Sequence, residues 1–287
     1  MINIMEQKIA IITGADGGMG TAITKTVVDA GFHVVMACRN MEKAAKVKDK
    51  LEKETGATID LQELDLASIA SVLRFAEDVK SRYTRIDLLL NNAGTLCHSP
   101  KETADHLEYT VGVNYFGHYV LSYELLPLMG EGTRVVSMVS LTYRFGVIRD
   151  TLFTPRTKAN FNRFSTYSDS KLALLYFTLD AAEAWKDKGI KVNCADPGIV
   201  DTEIITMGNK VVDTMCNLLF RPIIRKPLKG AASLLHLALS EETKDLTGQC
   251  FASKKPVTIS SKVLNNPRRQ WLHEKTEELL AEIKRTL

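Results

Sequence analysis

Short apolar runs recur along the chain at residues 8–13 (KIAIIT), 33–38 (HVVMAC), 57–64, 86–91 (IDLLLN), 133–140, 190–195 and 248–252. They are strand-length and rich in Ile, Val and Leu, which reads as strands buried inside a sheet. Between them the apolar positions fall at helical spacing: Ile23, Val27 and Val28 ahead of Gly31, and longer patterns over 103–129 and 165–187. Regular alternation of strand and helix predicts an α/β protein with right-handed crossovers. The expected architecture is a doubly wound, parallel seven-stranded sheet with helices on both faces. No repeat, low-complexity tract or linker breaks the pattern, so 1–287 reads as one domain, with 253–287 as a C-terminal extension. That length suffices for one well-buried core.

Charge changes little in this picture. Thirty-seven basic residues face 34 acidic ones, a net charge of +3, which gives no reason to invoke nucleic acid. The run KAAKVKDKLEKE (43–54) alternates sign and reads as the solvated face of a helix. No stretch approaches the roughly 18 to 20 apolar residues of a membrane span, and MINIMEQK is too short and polar for a signal peptide. Five scattered cysteines (38, 97, 194, 216, 250) without C-x-x-C spacing suit a reducing, cytoplasmic setting. The six histidines show no metal-ligand spacing, so no metal is expected.

The junction between the first strand and first helix carries TGADGGMG, with Gly14, Asp16, Gly18, Met19 and Gly20. A glycine-rich turn there lets free N–H groups and the positive helix end meet a pyrophosphate. Three residues separate the first two glycines, unlike the usual GxGxxG, and an ordinary strand-to-helix turn is the alternative. After the second strand, an NAD-selective site would place a carboxylate against the ribose 2′-hydroxyl. This chain has Cys38, Arg39 and Asn40 instead. A guanidinium suits a 2′-phosphate, so NADP(H) is expected over NAD(H). The competing reading of Arg39 is a solvated surface charge, and Asp16 places a negative charge near the phosphates.

Tyr167 and Lys171, four residues apart in STYSDSKLALLY, share one face of a helix. A nearby ammonium is expected to lower the phenol from its ordinary value of about 10, which suits a general acid. Ser140 follows the apolar strand VVSMV, at the strand end where ligands bind in open α/β sheets. Its hydroxyl can hold a carbonyl oxygen for Tyr167. Ser137 competes for that role, but strand alternation points it away from its neighbours Val136 and Met138.

In this order, TGADGGMG, NNAG (91–94), Ser140, Tyr167-xxx-Lys171 and Pro197-Gly198 resemble the short-chain dehydrogenases/reductases, from about residue 8 to 252. ACRN (37–40), residues 101–121, the wide Ser140–Tyr167 interval and NNPRRQWLHEKTEELL resemble the retinol-dehydrogenase-like branch. The resemblance implies a Rossmann fold, the catalytic set Asn114, Ser140, Tyr167 and Lys171, and carbonyl–alcohol interconversion with a nicotinamide cofactor. Asn114 would hold a water through its backbone carbonyl and link Lys171 to solvent. Lys171 would bind the nicotinamide ribose and stabilise a tyrosinate. It also implies cofactor contacts from Asp65 and Leu66 at the adenine and from Asn92, Ala93 and Gly94 along the adenosine, although Asn92 could equally be structural. Pro197, Gly198, Val200 and Thr202 would serve the nicotinamide end. Members of that branch often carry an N-terminal anchor; none is read here, which disfavours retinol itself. Homo-oligomer formation, common in the family, is carried as an expectation.

Residues 141–164 carry Tyr143, Phe145, Phe153, Phe161 and Phe164 beside several cations. A segment at 199–227, with Met207, Met215, Leu218, Leu219 and Phe220, reads as a lid. Met and aromatic side chains adapt to bulky apolar ligands, so a steroid, retinoid or long-chain aldehyde or ketone is the expected small-molecule substrate. Packing of the lid, or an oligomer contact, explains the same residues. The functional alternative is a catalytically idle NADP(H)-sensing binding protein on this fold.

Overall fold

The computed structural model describes residues 7–198 and 226–287. Among the described residues, seven parallel strands form the sheet: β1 (Ile9–Thr13), β2 (His33–Cys38), β3 (Asp60–Glu63), β4 (Leu88–Asn91), β5 (Arg134–Met138), β6 (Lys191–Asp196) and β7 (Cys250–Ala252). An eighth, β8 (Lys255–Pro256), adds one antiparallel edge pair to β7, giving the order β3-β2-β1-β4-β5-β6-β7-β8. The seven-strand expectation missed this strand because its signal is a two-residue hairpin turn. Ser253 and Lys254 both have positive φ, the conformation that such a turn demands.

The helices are α1 (Gly18–Asp29), α2 (Met41–Thr55), α3 (Ile69–Arg82), α4 (Tyr109–Val111), α5 (Gly117–Leu125), α6 (Arg163–Ala184), α7 (Pro227–Leu239), α8 (Ser261–Leu264) and α9 (Arg268–Thr286). Alternate residues of β1 face opposite layers. Ile9 and Ile11 pack with α3, α5 and α6, whereas Ala10 and Ile12 pack with α1, α2 and α7. Both sheet faces are covered, so the strands read as unbroken apolar runs. The chain reverses its strand order between β1 and β4, and the crevice at their C-terminal ends is where such folds bind ligands.

The expected helix over 103–129 starts later and is interrupted. Thr103 Oγ1 accepts the N–H groups of Asp105 and Leu107, His106 has positive φ, and Glu108 caps Val111 N at 2.8 Å. Polar side chains thus hold 103–108 in turns. A π-helical turn, Gly112–Phe116, then joins α4 to α5. The C-terminal extension ends in α9, which lies on α5 and α6. Thr276 bonds the Tyr115 hydroxyl at 2.8 Å, and Arg269 pairs with Asp180.

Candidate active site

A cleft of about 710 Å³ opens at the β1–β4 crossover. It is lined by the glycine turn from Gly14 to Gly20, by Arg39, Asn40 and Lys43, by Asp65 and Leu66, and by Asn92, Ala93 and Gly94. The turn is built by close approach. Gly14 has φ +63°, and a Cβ there would press on Ala93 at 3.0 Å. A Cβ on Gly20 would lie 2.0 Å from Gly14 O, so only glycine lets α1 seat against the turn. The α1 N-cap, Gly17, offers no side-chain cap, which leaves first-turn N–H groups facing the cleft. Asn92 donates from Nδ2 to Thr13 O at 2.9 Å, while its buried Oδ1 has no partner among the described residues. A glycine cradle with open helix N–H groups and an unused acceptor fits a dinucleotide.

At the adenosine end, Arg39 donates to the Tyr109 hydroxyl, and Asn40 caps α2 by accepting Lys43 N–H at 2.9 Å. Asp16 is not left facing phosphates alone: Lys43 Nζ lies 3.7 Å from its carboxylate. Lys43 escaped sequence reasoning, although its place one helical turn after Arg39, inside the first turn of α2, was a usable signal. Burial and the Asp16 carboxylate push the Cys38 thiol up to about 12. Asp65 closes a local turn by accepting Ala67 N–H at 2.9 Å, with its neighbour Leu66 buried.

At the other end a Cβ on Gly94 would lie 3.5 Å from Asn114 Oδ1 and 3.6 Å from Lys171 Nζ, and α6 starts after Asn162, whose side chain caps Ser165 N at 2.9 Å. Helical spacing then brings Lys171 Nζ to 5.6 Å from the Tyr167 ring centroid. Lys171 is 3% exposed and donates to Met138 O at 2.7 Å. Burial brings its ammonium down to about 8, opposed by the negative charge of Asp196. Ser140, just past β5, lies within hydrogen-bonding reach of the Tyr167 phenol. Ser137 is buried in the sheet and accepts from Asn91 instead. Asn114 sits in the π-helical turn with its side chain bound to Thr95 and Ser170.

One expectation is reversed. The Tyr167 phenol is pushed up to about 12, because burial and the Asp196 charge outweigh the Ser140 bond that opposes them. The lysine was legible in sequence; the carboxylate arriving from β6 was not. Asp196 also accepts the N–H groups of Leu141 at 2.8 Å and Gly198 at 3.0 Å, tying the Ser140 turn to the Pro197–Gly198 turn. Val200, Thr202 and the segment 199–225 lie outside the described residues. The aromatic interval splits: Tyr143 and Phe153 belong to the core, whereas Phe145 and Phe164 are exposed and contact each other at 5.8 Å beside the start of α6.

The comparisons with known proteins agree with this geometry. A family model described as short chain dehydrogenase matches residues 8–211. Retinol dehydrogenase 12 of Homo sapiens is 30% identical over 278 residues, covering 95% of this chain and 86% of that one. Polyprenol dehydrogenase of Mus musculus is 32% identical over 251 residues, covering 84% and 74%. A Burkholderia cenocepacia short chain dehydrogenase solved in complex with NADP superposes with TM-score 0.69 at 25% identity, covering 87% and 97%. The chain belongs to the short-chain dehydrogenase/reductase family, oxidoreductases that use nicotinamide dinucleotides. Within it, the chain falls in the retinol-dehydrogenase-like branch. No helix among the described residues is long and apolar enough to cross a membrane.

Proposed function

We propose that this protein interconverts a carbonyl and an alcohol on a bulky apolar substrate, such as a steroid, retinoid or long-chain aldehyde or ketone, with NADP(H) preferred over NAD(H). The observation that carries the reading is the cleft's two unlike ends. Ser140, Tyr167, Lys171 and Asn114 gather beside Gly94 at one, and Arg39, Asn40 and Lys43 line the other, with Cys38 at the end of β2 where a ribose-binding acid would stand. The names of the relatives, retinol and polyprenol dehydrogenases, support an apolar alcohol or its carbonyl partner. The scattered cysteines support a cytoplasmic setting.

The turn from Gly14 to Gly20 would hold the pyrophosphate, Arg39 and Lys43 the 2′-phosphate, Asp65 and Leu66 the adenine, and Lys171 the nicotinamide ribose. The bound dinucleotide supplies or accepts a hydride. Ser140 holds the substrate oxygen, and Tyr167 gives it a proton from its hydroxyl in reduction. The same hydroxyl takes that proton back in oxidation. The Lys171 ammonium, close to the ring, stabilises the phenolate left behind. A phenol at about 12 carries its proton at neutral pH, as the donor role in the reducing direction requires.

The test is a fluorescence titration with NADPH and, in parallel, NADH, followed by a carbonyl panel with the better cofactor. Tighter NADPH binding and turnover of an apolar aldehyde or ketone are expected. Tighter NADH binding would overturn the 2′-phosphate assignment. Binding without turnover of any carbonyl or alcohol would instead favour the idle sensor.

A further inference from the structure

Behind the cleft, two runs of buried hydrogen bonds meet at Asn114, one reaching its backbone carbonyl from β1 and one leaving its side chain for α6. Thr13, the last residue of β1, accepts the N–H groups of Asn92 and Ala93 on its Oγ1, each at 2.9 Å. The same oxygen lies 3.0 Å from His118 Nε2 and 3.3 Å from Leu90 O. A hydroxyl has two lone pairs and one proton. Both lone pairs are taken, so the proton goes to the nearer acceptor, His118 Nε2. A neutral imidazole that accepts at Nε2 carries its proton on Nδ1. Nδ1 lies 3.3 Å from the Asn114 carbonyl oxygen.

The second run starts at the Asn114 side chain. Its Oδ1 accepts Thr95 N–H at 2.7 Å, and Nδ2 donates to Thr95 O at 2.9 Å and to Ser170 Oγ at 3.0 Å. Ser170 donates to Tyr167 O at 2.7 Å. Within each run the donors point towards the helix that carries Tyr167 and Lys171, Thr13 to His118 to the Asn114 carbonyl and Asn114 Nδ2 to Ser170 to Tyr167 O. Thr95 and the Asn114 side chain form a reciprocal pair. His118, Asn114 and Ser170 are all fully buried. Hydrogen bonds aligned in one direction in a dry interior polarise and strengthen one another.

We propose that His118, held as the neutral Nδ1–H tautomer, is a positioning residue that fixes the Asn114 carbonyl relative to Thr13 and so couples the dinucleotide turn to the catalytic helix. Its catalytic consequence rests on the function proposed above; its tautomer and its hold on Asn114 do not. Burial and the Lys171 charge hold the imidazole down to about 3, opposed by the Asn114 bond, so the ring stays neutral. A charged ring would carry protons on both nitrogens and turn the Thr13 hydroxyl back towards Leu90 O.

Nitrogen-15 NMR of histidine-labelled protein without cofactor tests the tautomer, with the His118 signals assigned by their loss in His118→Gln. The expected result is a protonated Nδ1 and bare Nε2, unchanged over about pH 5 to 9, against the ordinary titration near 6.5. An Nε2–H tautomer, or titration in that range, would overturn the proposal without any variant having to fold. His118→Gln keeps one donor and one acceptor, whereas His118→Phe keeps neither. Exchange of the Asn114 side-chain amide should quicken by about tenfold or more in the Phe variant and be largely restored by Gln, because losing the bond to the Asn114 carbonyl loosens the residue whose amide holds Thr95 and Ser170. Reduction of all-trans-retinal with NADPH should slow by about tenfold or more in the Phe variant, while the NADPH dissociation constant stays within about twofold. Unchanged amide exchange in His118→Phe would sink the positioning role. If even the unmodified protein reduces no carbonyl, the proposed function falls, and tautomer and amide exchange still decide His118.

Discussion

The two ends of the cleft hold charge under opposite conditions. At the adenosine end, Lys43 is 46% exposed and Asp16 15% exposed, and their contact is a loose 3.7 Å. At the catalytic end, Lys171 is 3% exposed, hydrogen-bonded at 2.7 Å and shifted down by burial to about 8. Water and salt screen the first group of charges and barely reach the second. Cofactor choice therefore depends on a few solvated cations, each contributing modestly. The chemistry depends on groups whose proton affinities are set by burial and by one neighbouring carboxylate. Changes at the catalytic end should be large and insensitive to salt; changes at the adenosine end should be small and salt-dependent.

The largest effect is expected from Tyr167→Phe, which removes the proton donor and leaves the ring's packing. Turnover should fall by about 10²- to 10⁴-fold, the range for a lost general acid, with NADPH binding nearly unchanged. Retained turnover would show that another group gives the proton and would dissolve the contrast at its strongest point.

Next is a stability effect, read without cofactor. Lys171 has a folded pKa of about 8 against an ordinary 10.5. Below about 8 both folded and unfolded chains carry the ammonium, and the fold bears the cost of burying it. Between about 8 and 10.5 the folded chain has released the proton while the unfolded chain still holds it. The unfolded state then binds more protons, so this group makes stability rise with pH across that window. Cys38 and Tyr167, both raised to about 12, act in the opposite sense above their ordinary values. The comparison with Lys171→Met isolates the lysine: denaturant titrations should show the variant more stable at pH 7 by up to about 3 kcal/mol, the gap closing towards pH 10.5. A gap independent of pH would mean that the ammonium is not desolvated as its burial indicates.

The third effect lies at the solvated end. Arg39→Ala should weaken NADPH by about tenfold, the value of one charge-assisted bond, and leave NADH alone. The difference should shrink as salt rises. Equal weakening of both cofactors would return Arg39 to an ordinary surface charge.

What the sequence disclosed follows the same division. The glycine turn, Arg39, Ser140 and the Tyr167–Lys171 pair are local patterns, each fixed by a strand end or by helical spacing, and strand–helix alternation gives the sheet. Features made by distant segments stayed hidden. Asp196 reaches Tyr167 from β6, and His118 meets Thr13 across 105 residues of chain. No periodicity reports such meetings. The start of the helix at 109 was masked by apolar residues at helical spacing in 103–108, where side-chain bonds from Thr103 and Glu108 outweigh propensity. Tyr143 and Phe153 look like a substrate lining in sequence because burial in a core and burial against a ligand select the same side chains.

The smallest effect is also the finest test of the contrast. Asp16 stands in the glycine turn, where its charge opposes phosphate, and Lys43 sits 3.7 Å away. If the pair is only a loose surface contact, Asp16→Asn releases Lys43 to a 2′-phosphate and removes a repulsive charge. NADPH should then bind tighter by up to about fivefold, as a contact of at most about 1 kcal/mol allows, with NADH nearly unmoved. If the carboxylate instead accepts a ribose hydroxyl, both cofactors should weaken together, since both carry the 3′-hydroxyl. Paired titrations at low and high salt separate the cases: a gain confined to NADPH that fades with salt places Asp16 among the screened charges. A salt-independent loss for both cofactors would give the adenosine end a desolvated contact of its own, and the division between the two ends would not hold.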